Sequence, residues 1–225
     1  FLKVEVNPDG TFDLTDKNTG RVIKDMHTFE DEGDTGDYWA YYAPYNNQTI
    51  SSRGFHSRIW LEDNGPLSAT IGIETVMQIP AKAEYGEVKF QGYGKRSQDL
   101  VDLKIVSKIT LNKGDKHLKV KTSIDNKAKD HRVRLLIPTD VQAEFSDAAG
   151  HFTVDRRGAV HEKDADGKFY PEMALRPMAE FCSVSDGDKG LSVLNNCLTE
   201  FQLMQDERGT LALTLLRAIR NRICT

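Results

Sequence analysis

The stretch VDLKIVSKITLNKGDKHLKVKTSIDN, residues 101–126, decides the fold class, because its apolar residues recur at every second position. An NKGD sequence near its centre separates two such runs. Alternation with a period of two is typical of a strand with one buried face, and a glycine-containing break between two runs is typical of a hairpin. The stretch predicts a long antiparallel hairpin whose buried face carries Leu103, Ile105, Ile109, Leu111, Leu118, Val120 and Ile124.

The same period of two recurs along most of the chain. LKVEV and TFDLTD near the start are separated by the turn sequence NPDG, and SATIGIETVMQI, HRVRLLIP and TLALTLLRAI continue the alternation. No stretch has the apolar spacing of a long amphipathic helix, and no repeat or linker interrupts the pattern. We therefore expect an all-β fold, a large antiparallel β-sandwich that forms a single domain over residues 1–225. Between about residues 146 and 178 the alternation weakens, which predicts a long surface excursion.

The composition argues against several classes of protein. The 30 basic and 34 acidic residues give a formal charge of -4, without the basic excess typical of nucleic-acid binding. No apolar run approaches the roughly 18 residues that span a bilayer, so we expect no membrane partner. Cys182, Cys197 and Cys224 are too few for a disulfide framework, so we expect reduced thiols and a cytoplasmic protein. The strand-like start at Phe1 and the end at RNRICT lead us to expect a piece of a longer polypeptide.

A second stretch, FEDEGDTGDYWAYYAP at residues 29–44, concentrates acids, glycines and aromatics. Clustered carboxylates suit calcium, but their spacing does not match an EF-hand loop. Aromatic rings beside carboxylates suit a sugar, because a ring stacks on apolar C–H faces while a carboxylate accepts hydrogen bonds from hydroxyls. A third interpretation is an ordinary turn followed by a strand whose aromatics belong to the core. The residues alone indicate a β-sandwich with a candidate carbohydrate site.

Sequence motifs for catalysis and metal binding are missing. None of the six histidines stands in an HxH or HExxH spacing, and there is no GxSxG, P-loop or Rossmann sequence. We therefore assign no catalytic residue and no metal ligand to this chain. In DHRVRLL, the basic residues His131, Arg132 and Arg134 alternate with apolar ones, and we expect them to form an exposed face or a domain contact. Arg156 and Arg157 are weaker candidates for reaching a cleft from the long excursion.

Three stretches in the same order resemble the C-terminal β-region of bacterial-type glycoside hydrolase family 38 α-mannosidases. They are FEDEGDTGDYWAYYAP, DHRVRLLIPTD from Asp130 and LNNCLTEFQLMQDERGTLALTLLRA from Leu194, and the opening NPDGTFDLTDKNTGRVI is similar to the start of that region. The resemblance implies a supersandwich of the galactose-mutarotase-like kind within a retaining, metal-dependent α-mannosidase. It also implies that the aspartate nucleophile and the zinc ligands belong to an N-terminal catalytic domain absent from this sequence. The fragment alone is then expected to be inactive and to bind no cofactor.

In that family, the turn rich in acids and glycines reaches the rim of the active site and offers an aromatic hydroxyl to the bound sugar. The matching residues here are Gly33, Asp34, Gly36 and Asp37, with Tyr38 as the best candidate for the hydroxyl. The resemblance thus implies Asp34, Asp37 and Tyr38 as substrate-binding residues.

The sequence departs from the family pattern directly after this turn. Bacterial relatives run into a shorter Y-x-Y-S-P segment, whereas this chain has YWAYYAP, so Tyr41 and Tyr42 are alternatives to Tyr38. The expected role is to brace the parent's own N-terminal catalytic domain and to close one side of the site around an α-mannoside; a homo-oligomer is left open. Two other functions are a stand-alone carbohydrate-binding module and an aldose-epimerase-like sandwich, whose chemistry needs a positioned acid and base, usually His and Glu.

Overall fold

The computed structural model describes residues 1–85, 94–158 and 174–220. These residues form antiparallel β-sheets together with a 3₁₀ helix at Ser52–Gly54. The predicted all-β, antiparallel class is confirmed. The described residues contain no helix that is long and apolar enough to cross a membrane. The chain divides into two compact units, Phe1–His131 with Ala218–Thr225, and Arg132–Arg217. The single domain over residues 1–225 stays a prediction.

The first unit contains a three-stranded and a four-stranded sheet and two shorter strand pairs. Its strands are β1 (Leu2–Val6), β2 (Phe12–Asp16), β3 (Val22–Met26), β4 (Thr28–Gly33), β5 (Ile50–Ser51), β6 (Ser57–Asn64), β7 (Ser68–Pro80), β8 (Ala83–Glu84), β9 (Lys95–Arg96), β10 (Leu100–Asn112) and β11 (Lys119–Asp125). The small sheet has the order β1-β2-β3 and the larger one β11-β10-β7-β6, while β4 pairs with β5 and β8 with β9. The strands β1, β2, β7, β10 and β11 lie where the alternation predicts them.

Strands β10 and β11 form the hairpin predicted from the period of two. On β10, Leu103, Ile105 and Ile109 are buried while the intervening lysines are exposed, as expected for a sheet with one covered face. The predicted burial of Val120 on β11 is wrong, since this side chain is 42% exposed. Because β11 is the edge strand of its sheet, only one neighbouring strand shields it. The remaining predicted core residues of the hairpin, Leu111, Leu118 and Ile124, are half-buried.

Among the described residues, the second unit contains two groups of four hydrogen-bonded strands. Its strands are β12 (His131–Ile137), whose first residue still belongs to the first unit, β13 (Phe145–Ala149), β14 (Val154–Gly158), β15 (Arg176–Pro177), β16 (Phe181–Ser185), β17 (Gly190–Leu194), β18 (Glu200–Leu203) and β19 (Leu211–Arg217). Strands β15, β18, β19 and β12 are hydrogen-bonded in that order, and so are β14, β13, β16 and β17. The most deeply buried apolar side chains of this unit are Val133, Val141, Val184, Phe201, Leu211 and Leu213.

The expectation of a long surface excursion over residues 146–178 is wrong for its first part. That part forms the antiparallel hairpin β13–β14. The guanidinium of Arg156 donates two hydrogen bonds of 2.8 and 2.9 Å to Asp147 on the opposite strand. Arg157 is paired with a carboxylate of its own strand, so both arginines are engaged within the hairpin. Residues 159–173 of the predicted excursion lie outside the described residues.

The basic residues of β12 are buried, so the expectation that they form an exposed face is wrong, whereas the alternative of a domain contact stays a prediction. His131 is 0% exposed, Arg132 4% and Arg134 6%. The guanidinium of Arg134 donates a 2.8 Å hydrogen bond to the side chain of Gln202. All but one residue of β12 are buried, so alternating residue types do not indicate an exposed face here.

His27 is a buried histidine at the corner between β3 and β4. Its ring packs against Phe12 and, edge to face, against Phe29. Its Nδ1 lies 3.1 Å from the carbonyl oxygen of Gly10, and its Nε2 lies 2.9 Å from the hydroxyl of Ser107. Burial lowers the pKa of His27 to about 4, since desolvation disfavours the charged ring. In the neutral ring, Nδ1–H donates to the carbonyl, and Nε2 accepts from the hydroxyl of Ser107.

This burial makes folding dependent on pH in a defined window. The pKa of the unfolded histidine is 6.5 and that of the folded one about 4, so the unfolded state binds the proton first as the pH falls. We expect the free energy of unfolding to be unaffected by His27 above pH 6.5 and to decrease below it, by roughly 3 kcal/mol in all by pH 4. Urea unfolding at several pH values between 7.5 and 5 measures this slope.

The matched control for this prediction is an exposed histidine. His27→Gln removes the titrating group, so its free energy of unfolding is expected to vary less with pH than that of the wild type. His117→Gln, which alters a ring near Asp115 with 60% side-chain exposure, is expected to keep the wild-type slope. Equal slopes in His27→Gln and the wild type contradict the prediction.

Candidate functional site

The stretch that is rich in acids and aromatics begins inside the first unit. Its first residues form β4, in which Asp31 is 0% and Glu32 6% exposed. The alternation does not predict this strand, because acids occupy positions that the fold buries. From β4 the chain runs through residues 34–49, called here the rim loop, before it pairs again as β5. The rim loop carries all the residues that the resemblance implies for sugar binding.

The carboxylate of Asp31 is buried between two basic side chains. One oxygen accepts a hydrogen bond from Nη2 of Arg96, and the other lies 2.5 Å from Nδ1 of His131. The opposite ring nitrogen, Nε2 of His131, lies 3.0 Å from Oδ1 of Asn126. The amide of Asn126 is oriented by its own bonds to the backbone of Ala128, so its Oδ1 is an acceptor. Each oxygen of the buried carboxylate thus has a polar partner, and the ring of His131 is held between Asp31 and Asn126.

Arg96 also fixes the far end of the rim loop. Its Nη1 donates a 2.7 Å hydrogen bond to the carbonyl oxygen of Gln48, while Nη2 binds Asp31. The side chain is 3% exposed, so neither bond competes with water. A planar guanidinium presents its donors in a fixed fork, and this one connects β4 to the last residues of the loop.

A second buried acid fixes the middle of the loop. One carboxylate oxygen of Glu32 lies 3.0 Å from the hydroxyl of Tyr41 and 3.4 Å from the amide nitrogen of Asn47. The amide oxygen of Asn47 in turn accepts a 2.9 Å bond from the backbone N–H of Gly33. Pro44 packs directly on Gly33, where an added Cβ would lie 2.5 Å from the proline ring. Tyr41 is buried, so this alternative to Tyr38 is part of the interior.

Asp34, one of the predicted substrate-binding residues, is 0% exposed. Its Oδ1 accepts a 3.0 Å hydrogen bond from the N–H of Gly36, and its own N–H donates to the carbonyl of Asp130. A Cβ on Gly36 would lie 2.0 Å from the carbonyl oxygen of Ala40, so only glycine fits at this bend. Asp34 therefore shapes the loop from within.

Asp37 closes the tip of the rim loop. Its Oδ1 accepts hydrogen bonds from the N–H groups of Trp39 at 2.8 Å and Ala40 at 3.0 Å, and its own N–H donates to the carbonyl of Ala40. This is the local hydrogen bonding by which aspartate stabilises turns. The two residues at the tip project outward: Tyr38 is 67% and Trp39 82% exposed.

The structure brings the three predicted residues into one loop but gives them different surroundings. Asp34 lies in the interior, Asp37 is half-buried at the turn, and Tyr38 is exposed. Of the alternatives, Tyr41 is bonded to an internal acid and Tyr42 is half-buried. The contact of Asp34, Asp37 and Tyr38 with a sugar stays a prediction.

Sequence reasoning missed Trp39 as a candidate site residue. The resemblance directs attention to a hydroxyl, which tryptophan lacks. Four of the five residues from 38 to 42 are aromatic, so their spacing does not distinguish exposed rings from buried ones. The signal that was available is the position of Trp39 two residues after Asp37, where an aspartate-capped turn exposes the side chains at its tip.

The acids of the rim loop and of β4 do not form a metal site. Within residues 1–85, 94–158 and 174–220, no group of three or more His, Cys, Asp or Glu side chains is placed to hold a metal ion. Asp31 and Glu32 point to internal donors, and Asp34 and Asp37 to backbone N–H groups. The calcium interpretation of this stretch therefore has no support.

Comparison with known proteins shows the family. Residues 1–221 match the family described as "Glycosyl hydrolases family 38 C-terminal domain". The chain therefore belongs to glycoside hydrolase family 38, as part of its C-terminal domain. The confirmed resemblance covers nearly the whole sequence.

Three similar proteins illustrate the relationship. A protein of Halalkalibacterium halodurans named "Putative mannosylglycerate hydrolase" is 28% identical over 97% of this chain and 24% of its own length. The crystal structure of an α-mannosidase from Enterococcus faecalis V583 is 28% identical and superposes with a TM-score of 0.88, over 97% of this chain and 25% of that one. A family 38 protein from Enterococcus faecalis is 27% identical with a TM-score of 0.85, over 97% and 26%. The chain spans about a quarter of the length of these relatives.

The support of the rim loop can be tested through stability. Arg96→Met leaves the carboxylate of Asp31 buried without its guanidinium partner. We expect the free energy of unfolding to fall by about 3–5 kcal/mol, as is usual when one member of a buried ion pair is removed. Chemical unfolding monitored by fluorescence measures the change.

The neighbouring residue supplies the control. Lys95→Met removes a lysine that is 67% exposed and stands 4.0 Å from Glu84, and we expect no measurable loss of stability. If Arg96→Met costs no more than Lys95→Met, Arg96 does not support the loop as described.

Proposed function

We propose that this chain is the C-terminal β-domain of a retaining, metal-dependent α-mannosidase, and that its rim loop lines the edge of the sugar site. The family match over residues 1–221 and the mannoside-hydrolysing names of two relatives support the class of enzyme. The observation that supports the role of the loop is its construction: buried side chains hold it, and aromatic side chains project from its tip. The nucleophile and the metal ligands would belong to the N-terminal catalytic domain of the parent, so the fragment alone is inactive.

The described residues suit binding and positioning. The hydroxyl of Tyr38 can donate to and accept from sugar hydroxyls, and its ring offers a face to apolar C–H groups. Asp37 orients this side chain by fixing the turn on which it stands. A preorganised loop loses little conformational entropy when a ligand binds, so it adds to affinity even from the edge of a site.

The partners of this domain are the catalytic domain of its own parent and an α-mannoside. The names of the relatives point to mannosylglycerate and other α-mannosides as candidate substrates. Cys182 and Cys197, the two cysteines among the described residues, are both free thiols, which supports a cytoplasmic location. Burial raises the pKa of Cys182 to about 12, so this thiol stays protonated and unreactive in the core.

A stand-alone carbohydrate-binding module is the second candidate, because the aromatic side chains of Tyr38 and Trp39 are exposed. Measurable sugar affinity of the isolated chain would favour it. The aldose-epimerase-like alternative has less support. Two of the six histidines, His27 and His131, are buried and hydrogen-bonded to groups of the interior, so neither is placed to act as the acid or base.

Hydrolysis of an aryl α-mannoside by the full-length parent tests the proposed function. We expect activity that a chelator abolishes. Tyr38→Phe removes one hydrogen bond to the sugar and is expected to lower kcat/KM roughly tenfold. Asp37→Ala removes the acceptor for two N–H groups at the tip and is expected to lower kcat/KM as well, because the turn no longer presents Tyr38 correctly.

Tyr45→Phe is the matched control, because Tyr45 is another exposed tyrosine of the same loop, 92% accessible to solvent. Its activity is expected to equal that of the wild type. Absence of any α-mannosidase activity in the wild type contradicts the enzyme class. Full activity in both Tyr38→Phe and Asp37→Ala keeps the class and contradicts the role of the rim loop.

A further inference from the structure

The two tryptophans of the chain differ in their surroundings. One of them, Trp60, lies flat over Gly72, where an added Cβ would come within 2.2 Å of the indole. The guanidinium of Arg58 lies over the ring of Trp60, 5.0 Å from its centroid. Trp39 is 82% accessible to solvent instead. Large aromatic rings left in water on a soluble protein mark surfaces that bind something.

Hydrogen bonds and close packing define the backbone that carries this ring. The backbone N–H of Trp39 itself donates to the carboxylate of Asp37 at 2.8 Å. The adjoining bend at Gly36 has no room for a side chain, and Arg96 fixes the far end of the loop. A tryptophan has few rotatable bonds, so a ring held on such a backbone loses little freedom when it stacks on a ligand.

The charge around the tip favours a neutral ligand over a negatively charged one. From Thr28 to Ser52 the sequence contains no lysine or arginine, whereas Asp37 places a carboxylate at the tip. A ligand with a carboxylate would meet negative charge there without a cation on the loop to compensate it. A neutral sugar ring avoids this repulsion and offers apolar C–H groups to the indole face.

We infer that Trp39 stacks on a sugar ring in the leaving group of the substrate, which makes it a specificity-determining residue for α-mannosides linked to another neutral sugar. The inference rests on the proposed function. If the catalytic domain holds the mannose that is cleaved, a loop at the rim meets the part of the substrate that extends out of the site. Tyr38 and Trp39 then have separate roles. The hydroxyl of Tyr38 hydrogen-bonds to the bound mannose, and the indole of Trp39 stacks on the leaving group.

Two substrates that differ only in the leaving group test this assignment in the full-length enzyme. α-Mannosyl fluoride has no ring in its leaving group, whereas an α-linked mannobiose has one. We expect Trp39→Ala to lower kcat/KM for the mannobiose about tenfold, mainly through KM, and to leave kcat/KM for the fluoride unchanged within about twofold. Trp39→Phe restores part of the loss because a smaller ring remains. Phe152→Ala, which removes a fully exposed aromatic of the second unit, is the control and changes neither value.

The outcomes separate this inference from the proposed function. If the wild type hydrolyses neither substrate, the proposed function fails. If the wild type hydrolyses the fluoride but Trp39→Ala leaves the ratio of the two kcat/KM values unchanged, the inference is overturned, whether both values fall or neither does. A wild-type preference for an α-mannoside with a small carboxylate-bearing leaving group over the mannobiose also overturns it. Retained activity on the fluoride shows that the variant is folded.

Discussion

The buried ion pair between Asp31 and Arg96 is the interaction on which the rim loop depends. A carboxylate with no exposure is unfavourable unless it is compensated, and here Arg96 and His131 take one oxygen each. The same guanidinium also donates a hydrogen bond to the carbonyl of Gln48. Arg96 therefore compensates the charge of Asp31 and fixes the end of the loop at the same time. A strand of the interior can therefore carry acids and continue directly into a loop with a fixed shape.

Sequence patterns predicted the strands whose apolar residues alternate, including the largely buried β12 and β19, and failed where buried positions carry acids. Alternation located β10 and β11, because the lysines of β10 are in water while Leu103 and Ile105 are not. It could not locate β4, whose acids are buried. The partners of Asp31 lie 65 and 100 residues away along the chain, so no local pattern contains them. Val120 was predicted to be buried but is exposed, because alternation does not reveal which strand lies at the edge of a sheet.

The position of the candidate site was predictable from the sequence, but the tasks of its residues were not. Glycine and aspartate at 33–37 indicate a tight turn, and the structure has one there. Whether a given tyrosine is exposed depends on its tertiary partners. Tyr41 is buried, and its hydroxyl donates a hydrogen bond to the carboxylate of Glu32. Trp39 was missed because resemblance to a family transfers only the roles already seen in that family.

In the rim loop, the groups that support the backbone are distinct from the side chains exposed at the tip. Its acids bind donors of the protein and determine the backbone, whereas the aromatic rings of Tyr38 and Trp39 lie in solvent. The hydrogen bonds described for the loop all lie within the first unit, and none involves the side chain of either tip residue. A substitution at the tip can therefore change the exposed surface of the loop at little cost to its shape. Under the proposed function, substitutions at this tip alter the substrate preference of the enzyme while the residues that cleave the bond stay the same.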